Sequence, residues 1–322
     1  MQGGGHRLTE PTLAVDGGQT ETRAALYAEG RPRLARAPGV GRIDATDGGA
    51  DGVAGTLLRA VAGLGALPAT PPAVGVGLSG IEAAREDDLA RLRDALRAEL
   101  GAQRVAIASD GVTALFGALG GAAGAVVSAG TGTVAVAHDG RRWAKVDGWG
   151  SLVGDAGSGL AIGRAGLDAA LREHDGRGGS RALLRAAERD HGPAEQLVSR
   201  IHRTPAPTVT VAAFATAVAE EARAGDDVAM EILRAAGREL AVSASAALRR
   251  VFEADERVAV SYAGNAFRAG APLLRSFERE LAERCPHAAL VAPRGDSLAG
   301  AALLARRAEQ LDPEPGLVWL AD

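Results

Sequence analysis

The chain has 322 residues, of which 47% are hydrophobic and 3% aromatic, and its formal net charge is −4. At roughly 100–200 residues per domain this length predicts two domains, and the apolar content is sufficient for ordinary cores. The slightly acidic balance argues against a nucleic-acid-binding protein and against a basic membrane-binding surface. The one lysine, Lys145, follows an alanine, which excludes a phosphate loop of the Walker type.

The single cysteine, Cys285, excludes an internal disulfide and a multi-cysteine metal or iron–sulfur site. The segment from Met1 to Pro11 is polar and lacks the apolar core of a secretory signal. The longest uncharged stretch, Gly111 to Ala137, contains seven glycines and is a poor transmembrane helix. These features predict a soluble cytoplasmic protein.

Strand and helix patterns alternate through the first half of the chain. Short apolar runs predict strands at 13–15, 23–27, 74–78 and 105–108. Helical spacing predicts helices at 53–64, 81–100 and 110–119, and residues 38–52 are predicted to form a loop. The first two strands are predicted to form a hairpin around Asp16-Gly17-Gly18.

The second half begins with the pattern that opens the first. Leu13–Thr20 and Val126–Thr133 each contain a strand end, then a glycine-rich turn with threonine, and a strand follows each of them. This repetition, about one domain apart, predicts two related lobes. Residues 180–254 are almost wholly helical in pattern, with a break near 202–207. Beyond them, strands are predicted at 258–261 and 289–292, helices at 271–283 and 297–310, and a proline-rich tail at the end.

The two glycine-rich turns are candidates for a phosphate site. The first consists of Asp16, Gly17, Gly18, Gln19 and Thr20, and the second of Gly130, Thr131, Gly132 and Thr133. Glycines let the backbone approach a ligand and their amides can point at phosphate, so two such turns could clamp a polyphosphate. Asp16 could hold a hydrated Mg²⁺ at the end of its strand. The alternative is that both are plain hairpin turns.

Asp110 is a candidate for a catalytic carboxylate. It follows a predicted strand directly and begins a predicted helix. It can cap that helix, or it can orient and deprotonate a sugar hydroxyl at the carboxyl end of the strand.

Two later segments could contact a sugar and a nucleotide. Trp149, with glycines on both sides, offers an aromatic face for the C–H side of a sugar, and Asp155 offers a carboxylate for its hydroxyls. A packed loop and a helix cap are the alternative for this segment. Gly264-Asn265 would let an adenine ring lie against the backbone, or forms only a strand-to-helix turn.

Gly75–Gly80 matches the glycine spacing of a dinucleotide-binding loop. Its first glycines lie inside a predicted strand, whereas the dinucleotide motif requires a strand before them, so we do not expect a nicotinamide site. The six histidines lack metal-ligand spacing.

In this order, the motifs resemble the BadF/BadG/BcrA/BcrD ATPase family, and within it the N-acetylglucosamine kinase branch, from about Leu13 to Gln310. The most specific match is the Gly-Trp-Gly and Gly-Asp-x-Gly-Ser-Gly block at 148–159. The resemblance implies an α/β fold with two ribonuclease-H-like lobes, as in actin-like ATPases, around a nucleotide cleft. The lobes would span 1–112, with a closing helix at about 306–322 packed back on it, and 113–305, with a helical insertion at 180–254.

The resemblance also implies an ATP-dependent kinase that uses Mg²⁺ and phosphorylates an amino sugar, foremost N-acetylglucosamine to its 6-phosphate. Asp110 would be the general base, and Asp16 would bind Mg²⁺ through water. The implied nucleotide contacts are Asp16, Gly17, Gly18, Gln19, Thr20, Gly130, Thr131, Gly132, Thr133, Gly225, Gly264, Asn265 and Arg268. The implied sugar contacts are Gly41, Arg42, Asp110, Gly148, Trp149, Gly150 and Asp155.

Two positions depart from the family pattern. Gln19 stands where many members have glycine, and the loop from Pro38 to Arg42 has no asparagine where family kinases contact the sugar. Glucosamine, another sugar, or a sugar-independent ATPase or activator therefore stay as alternatives. The family's radical-dehydratase activators need several cluster cysteines, which Cys285 alone cannot supply. We expect a homodimer or a monomer that acts on a small molecule, without a nucleic-acid or membrane partner.

Overall fold

The computed structural model describes residues 11–28, 31–41, 43, 49–69 and 72–321, apart from the side chains of 320 and 321. The chain divides into two compact units. The first unit consists of Met1–Ala122 and Pro293–Asp322, and the second consists of Ala123–Ala292. The second unit is therefore inserted, in sequence, between two parts of the first.

A six-stranded mixed sheet forms the centre of the first unit. Its strands are β1 (Thr12–Gly17), β2 (Glu21–Tyr27), β3 (Arg33–Pro38), β4 (Ala73–Leu78), β5 (Arg104–Ser109) and β11 (Val318–Ala321). Their order is β11-β5-β4-β1-β2-β3. Neighbours β1, β4 and β5 run parallel, and the other pairs are antiparallel. β4 is buried along its whole length, which explains its continuous apolar run.

Helices cover both faces of this sheet. They are α1 (Gly49–Ala62), α2 (Glu86–Leu100), α3 (Asp110–Leu119) and α11 (Ser297–Arg307). Leu13 and Val15 belong to the same core cluster as α1 and α2, whereas Ala14 packs with α11. Because alternate residues of a strand point to opposite faces, the two helix pairs lie on opposite sides of the sheet.

Glycines allow α11 to pack closely. A Cβ at Gly75 of β4 would lie 2.0 Å from the carbonyl oxygen of Ala301. A Cβ at Gly300 would lie 1.7 Å from the carbonyl oxygen of Thr113 in α3. The glycine spacing at 75–80 thus includes a residue needed for helix packing on the sheet, in agreement with the expectation that it is not a dinucleotide loop.

The second unit contains a five-stranded sheet of related design. Its strands are β6 (Gly124–Ala129), β7 (Thr133–His138), β8 (Trp143–Asp147), β9 (Val258–Ala263) and β10 (Ala288–Leu290). Their order is β10-β9-β6-β7-β8, which repeats β5-β4-β1-β2-β3 of the first unit. In both sheets an antiparallel meander of three strands continues into two parallel ones. This is the repeated α/β arrangement that the sequence predicts.

The second unit is otherwise helical. Its helices are α4 (Gly159–His174), α5 (Arg181–His191), α6 (Ala194–His202), α7 (Pro207–Ala213), α8 (Ala215–Arg223), α9 (Asp227–Arg249) and α10 (Ala271–Arg284). The predicted break near 202–207 separates α6 from α7. The long helix α9 packs against α4, α8 and α10 as well as the sheet, and it provides much of the core of this unit.

Several sequence predictions differ from the structure. Strands β3, β8 and β11 were not predicted: β3 is an edge strand with exposed arginines, and β11 lies in the supposed tail. The helix that closes the first unit is α11 rather than a helix at 306–322, since the chain beyond Gln310 forms β11 against β5. The predicted lobe boundary at 112/113 falls inside α3, which stays with the first unit because it packs on α11.

The second lobe therefore ends near 292 rather than 305. In the part of the chain that the structure describes, none of the helices combines the length and apolar character needed to cross a membrane.

Candidate active site

Three polar side chains meet at one edge of the sheet in the first unit. β4 lies between β1 and β5, and all three are parallel. Asp16 is near the end of β1, Ser79 follows β4, and Asp110 follows β5 directly. The backbone amide of Ser79 donates to the carbonyl of Gly17 at 3.1 Å, which extends the pairing past the strand ends. This carboxyl edge is where open α/β sheets place their ligands.

Asp110 is held by Ser79 and is only partly exposed. The Ser79 hydroxyl donates a hydrogen bond to Oδ2 of Asp110. The pKa of Asp110 is raised to about 6, chiefly because burial disfavours the charged form. The hydrogen bond from Ser79 lowers this pKa, and the carboxylates of Asp16 and Glu82 raise it.

The N-cap of α3 is a different residue. Ser109 has extended backbone geometry, and its hydroxyl accepts from the amide of Gly111 at 3.2 Å. Asp110 is the first residue of the helix proper. Its carboxylate is therefore available for a role other than N-cap.

Asp16 takes part in a cluster that includes the start of α11. Its Oδ2 accepts from Arg23 at 2.5 Å and from the hydroxyl of Ser297 at 2.9 Å. Arg23 also pairs with Asp296 at 2.7 Å. Among the described residues, nothing hydrogen-bonds Oδ1 of Asp16. The cluster thus fixes the carboxylate and leaves one oxygen for a ligand.

The first turn presents backbone donors beside this carboxylate. Gln19 and Thr20 are exposed, and within the described ranges their amides donate to no acceptor. The loop after β3 packs against the turn, since the amide of Val40 donates to the carbonyl of Gly18 at 3.0 Å. Gly41 follows and is exposed. Arg42, also predicted to contact the sugar, lies outside the described residues.

The second turn lies at the N-terminus of α4. The carbonyl oxygens of Gly130 and Thr131 accept from the amides of Gly159 and Leu160 at 2.8 and 3.2 Å. The amides of Thr131 and Gly132 have no acceptor in the part of the chain that is described, and both residues are partly exposed. The positive end of the helix dipole thus supports a turn with unpaired donors, an arrangement that favours an anion.

Asp155 supports the second turn from behind. It is only 8% exposed, and its Oδ1 accepts from the amide of Thr133 at 3.1 Å. A Cβ at Gly132 would lie 2.9 Å from its carboxylate oxygens. Burial raises the pKa of Asp155, which the bond from Thr133 and the charge of Lys145 oppose. The structure thus shows Asp155 bound to the turn, a contact that the sequence did not predict.

Asp147 organises the loop between these features. Its Oδ1 accepts from the amides of Gly148 and Asp155, both at 2.8 Å, and its Oδ2 accepts from Ala156 at 3.0 Å. Trp149 in this loop is 73% exposed, and the ammonium of Lys145 lies 5.4 Å from its ring centroid. The carbonyl oxygen of Gly150 accepts from the amide of Gly154 at 2.9 Å. The loop is therefore ordered by hydrogen bonds while its tryptophan faces solvent.

The remaining predicted nucleotide residues belong to the same unit. β9 is the parallel neighbour of β6, so Gly264 follows β9 at the edge where the second turn follows β6. Its φ is +94°, and a Cβ there would lie 2.3 Å from the carbonyl oxygen of Ala129, so only glycine fits. Asn265 and Arg268 are exposed in a short 3₁₀ helix after it.

Gly225 lies in the turn between α8 and α9. The next residue, Asp226, caps α9 by accepting from the amide of Ala229 at 2.8 Å, and it also accepts from Ser180. α8 packs against the 3₁₀ helix that contains Asn265 and Arg268. Gly225 is thus connected to the predicted nucleotide residues through one helix.

Most of the chain matches a known family. The model of the BadF/BadG/BcrA/BcrD ATPase family matches residues 13–305 of the chain. The chain belongs to this family. The resemblance inferred from the sequence motifs is therefore confirmed.

Two proteins that are similar to this family member are named as sugar kinases. An N-acetylmuramic acid/N-acetylglucosamine kinase from Clostridium acetobutylicum is 28% identical over 238 residues, 73% of this chain and 77% of that protein. The crystal structure of a candidate N-acetylglucosamine kinase from Chromobacterium violaceum is 30% identical with a TM-score of 0.70, and the match covers 92% and 99% of the two chains.

A ROK family glucokinase from Streptomyces griseus, solved with glucose and AMPPNP, shares the fold. It is 20% identical with a TM-score of 0.62 over 92% of this chain and 99% of its own. These likenesses confirm an α/β fold of the actin-like ATPase type.

In this member of the BadF/BadG/BcrA/BcrD ATPase family, the geometry of each turn suits phosphate oxygens. Each of the two turns offers a pair of adjacent unpaired amides, and a Cβ at Gly130 would meet open space rather than protein. Backbone donors of this kind bind phosphate oxygens. Asp16 offers one free carboxylate oxygen, which fits the sparse protein ligation of Mg²⁺ beside phosphates.

Sequence reasoning missed three residues: Arg23 and Ser79 in the first unit, and Asp147 in the second. Arg23 could have been found, because the hairpin register puts it directly opposite Asp16. The proximity of Ser79 to Asp110 depends on the order of the strands in the sheet, which the sequence does not specify. Asp147 has a φ of +62°, and no sequence pattern marks it.

Proposed function

We propose that this protein is an ATP-dependent kinase that transfers the γ-phosphoryl group to an amino sugar, with the 6-hydroxyl of N-acetylglucosamine as acceptor. The observation that carries the proposal is Asp110, a carboxylate beside Asp16 at the carboxyl edge of the sheet that does not serve as the N-cap of α3. The sugar-kinase relatives support the same activity.

The chain's own residues would bind the nucleotide in the following way. Amides of the first and second turns donate to the phosphates, and Gly264, Asn265, Arg268 and Gly225 border the adenosine. Asp16 would hold Mg²⁺ through water, and Arg23 and Ser297 keep its carboxylate in place. Mg²⁺, when bound, neutralises charge on the phosphates.

Asp110 would act on the acceptor. Its carboxylate takes the proton of the sugar hydroxyl as that oxygen attacks the γ-phosphorus, the bond to the β-phosphate oxygen breaks, and ADP leaves. The proton remains on Asp110 until it passes to water. Gly41, Arg42, Gly148, Trp149, Gly150 and Asp155 stay proposed sugar contacts.

The rate of this reaction should depend on pH through Asp110. A general base works in its ionised form, and the pKa of Asp110 is about 6. We expect kcat to be constant above this value and to fall about tenfold per pH unit below it. A discontinuous ADP assay from pH about 5 to about 8.5 measures the profile. A profile that stays flat down to pH about 5 would contradict Asp110 as the base.

Replacing Asp155 should affect the KM for ATP rather than proton transfer from the acceptor hydroxyl. Asp155→Ala removes the carboxylate that holds the amide of Thr133, so we expect the KM for ATP to rise about tenfold. The matched control is Asp139→Ala, which removes a carboxylate bound to the amides of Arg141 and Arg142 in another turn of the same unit. An equal change of KM in both variants would show that the effect is not specific to the second turn.

A sugar panel tests the proposed function. ADP release with Mg-ATP is measured with N-acetylglucosamine, glucosamine, N-acetylmuramic acid, N-acetylmannosamine, glucose and no sugar, and the product is examined by NMR. We expect turnover with N-acetylglucosamine and a phosphate on its 6-oxygen. Preference for another sugar would correct the acceptor, in keeping with the missing asparagine near Gly41. ADP release that is independent of every sugar would replace the kinase by an ATPase or activator.

A further inference from the structure

Ser79 occupies a central position at the carboxyl edge of the first unit. It follows β4, the strand between β1 and β5, and so lies between the strand ends that carry Asp16 and Asp110. Its backbone is fixed by the hydrogen bond to the carbonyl of Gly17. Its hydroxyl donates to Oδ2 of Asp110.

The fold does not require this hydroxyl for local structure. The next element is a 3₁₀ helix at Ile81–Ala83, whose N-cap is Gly80 and which has no side-chain cap. Ser79 is partly exposed, so its hydroxyl could be hydrated instead. Within the described part of the chain, this hydroxyl forms its hydrogen bond with the carboxylate of Asp110, the base in the proposed function.

We propose that Ser79 is a positioning residue for Asp110, which holds Oδ2 so that Oδ1 faces the acceptor hydroxyl. This inference rests on the proposed kinase function. No described side chain hydrogen-bonds Oδ1, and a donor on one carboxylate oxygen fixes the rotation of the group. The role differs from that of the base itself, because Ser79 gives and takes no proton in the reaction.

The same contact sets the ionisation of the carboxylate. A hydrogen bond donated to a carboxylate favours its charged form, and here it acts against burial. The charged groups facing Asp110 are Asp16 on β1 and Glu82 on the 3₁₀ helix, and both favour the neutral form. The hydroxyl of Ser79 opposes them and favours the charged form of Asp110, as the backbone amide of Gly111 also does.

The test compares Ser79→Ala and Ser79→Thr with the wild type. We expect Ser79→Ala to lower kcat about tenfold near pH 7 and to move the acid limb of the kcat profile upward by about one pH unit, with the KM for ATP unchanged. Ser79→Thr keeps the hydroxyl and should restore most of the rate and the position of the limb. A serine needed only for folding would not move the limb.

Ser276→Ala is the matched control. Ser276 is a buried serine of the second unit whose hydroxyl donates to the carbonyl of Arg234 at 2.9 Å. Its loss should leave the acid limb in place. Ser79→Ala with an unchanged limb and unchanged kcat would overturn this inference while sugar-dependent turnover of the wild type still supported the kinase. Absence of sugar-dependent turnover in the wild type would overturn the proposed function, and the role of Ser79 with it.

Discussion

Asp110→Asn is expected to reduce sugar phosphorylation by about 10²–10⁴-fold while ATP binding stays within about twofold of the wild type. Asparagine has nearly the same shape and can still accept the hydrogen bond from Ser79, but it cannot take a proton. Turnover is measured by ADP release with the best sugar, and nucleotide binding by titration calorimetry. Asp168→Asn, at an exposed carboxylate in α4, is the control. Full activity of Asp110→Asn would eliminate the general-base assignment.

The same variant is expected to be more stable than the wild type. The folded protein holds the Asp110 proton up to pH about 6, whereas the usual pKa is 3.8. The stability contribution of this group is therefore largest below pH 3.8, decreases as the pH rises through about 6, and is fully lost above it. Asparagine removes the cost of the buried charge, so at pH 7–8 we expect a melting temperature about 2–4 °C higher. The difference in melting temperature between the variant and the wild type should vanish at pH about 4.

Gly300→Ala is expected to destabilise the first unit by about 3 kcal/mol, the upper part of the usual range for overpacking. The added Cβ would lie 1.7 Å from the carbonyl oxygen of Thr113 and 2.6 Å from the amide nitrogen of Gly117, so α11 would have to move off α3. Backbone atoms of a packed helix cannot rotate away as a side chain can. Chemical denaturation followed by tryptophan fluorescence measures the effect, with Trp319 in the first unit and Trp143 and Trp149 in the second.

The control for Gly300→Ala is Gly52→Ala. Gly52 lies exposed in α1, and a Cβ there meets nothing within 4 Å. Alanine should stabilise that helix by about 0.5–1 kcal/mol, because it restricts the unfolded chain. Opposite signs for the two replacements would support the packing described here. Equal and small changes in stability in the two variants would show that α11 does not pack on α3 as closely as the structure indicates.

The parts of the fold that could be predicted are those where burial leaves a clear pattern. β4 and the central residues of β1 and β5 (13–15 and 105–108) form apolar runs because both faces of the sheet are covered, and the break before Pro207 follows from proline geometry. β3 escaped prediction because it is an edge strand without a buried residue, in which Arg33, Leu34 and Arg36 are exposed. β11 is stabilised by pairing with β5 rather than by any pattern of its own.

The candidate site could be predicted in its backbone motifs but not in its side-chain contacts. A short run of glycines beside a threonine, after an apolar run, indicates a turn. The first and second turns are therefore predictable from the local sequence. The contact of Asp155 with Thr133 depends on a loop that returns across 22 positions, and no spacing rule describes it. The roles proposed for the nucleotide and sugar residues remain predictions.

The division of the first unit has a consequence for its synthesis on the ribosome. Asp16 is held by Ser297, 281 positions later in the chain, and β5 gains its outer neighbour only from Val318 onward. The inserted second unit, by contrast, is contiguous from 123 to 292 and can complete its core first. The first unit therefore cannot complete its fold until almost the whole sequence has been translated. Until then, the surface that packs against α11 stays uncovered. Translation that stops before residue 297 would leave a folded second unit beside an unfinished first one.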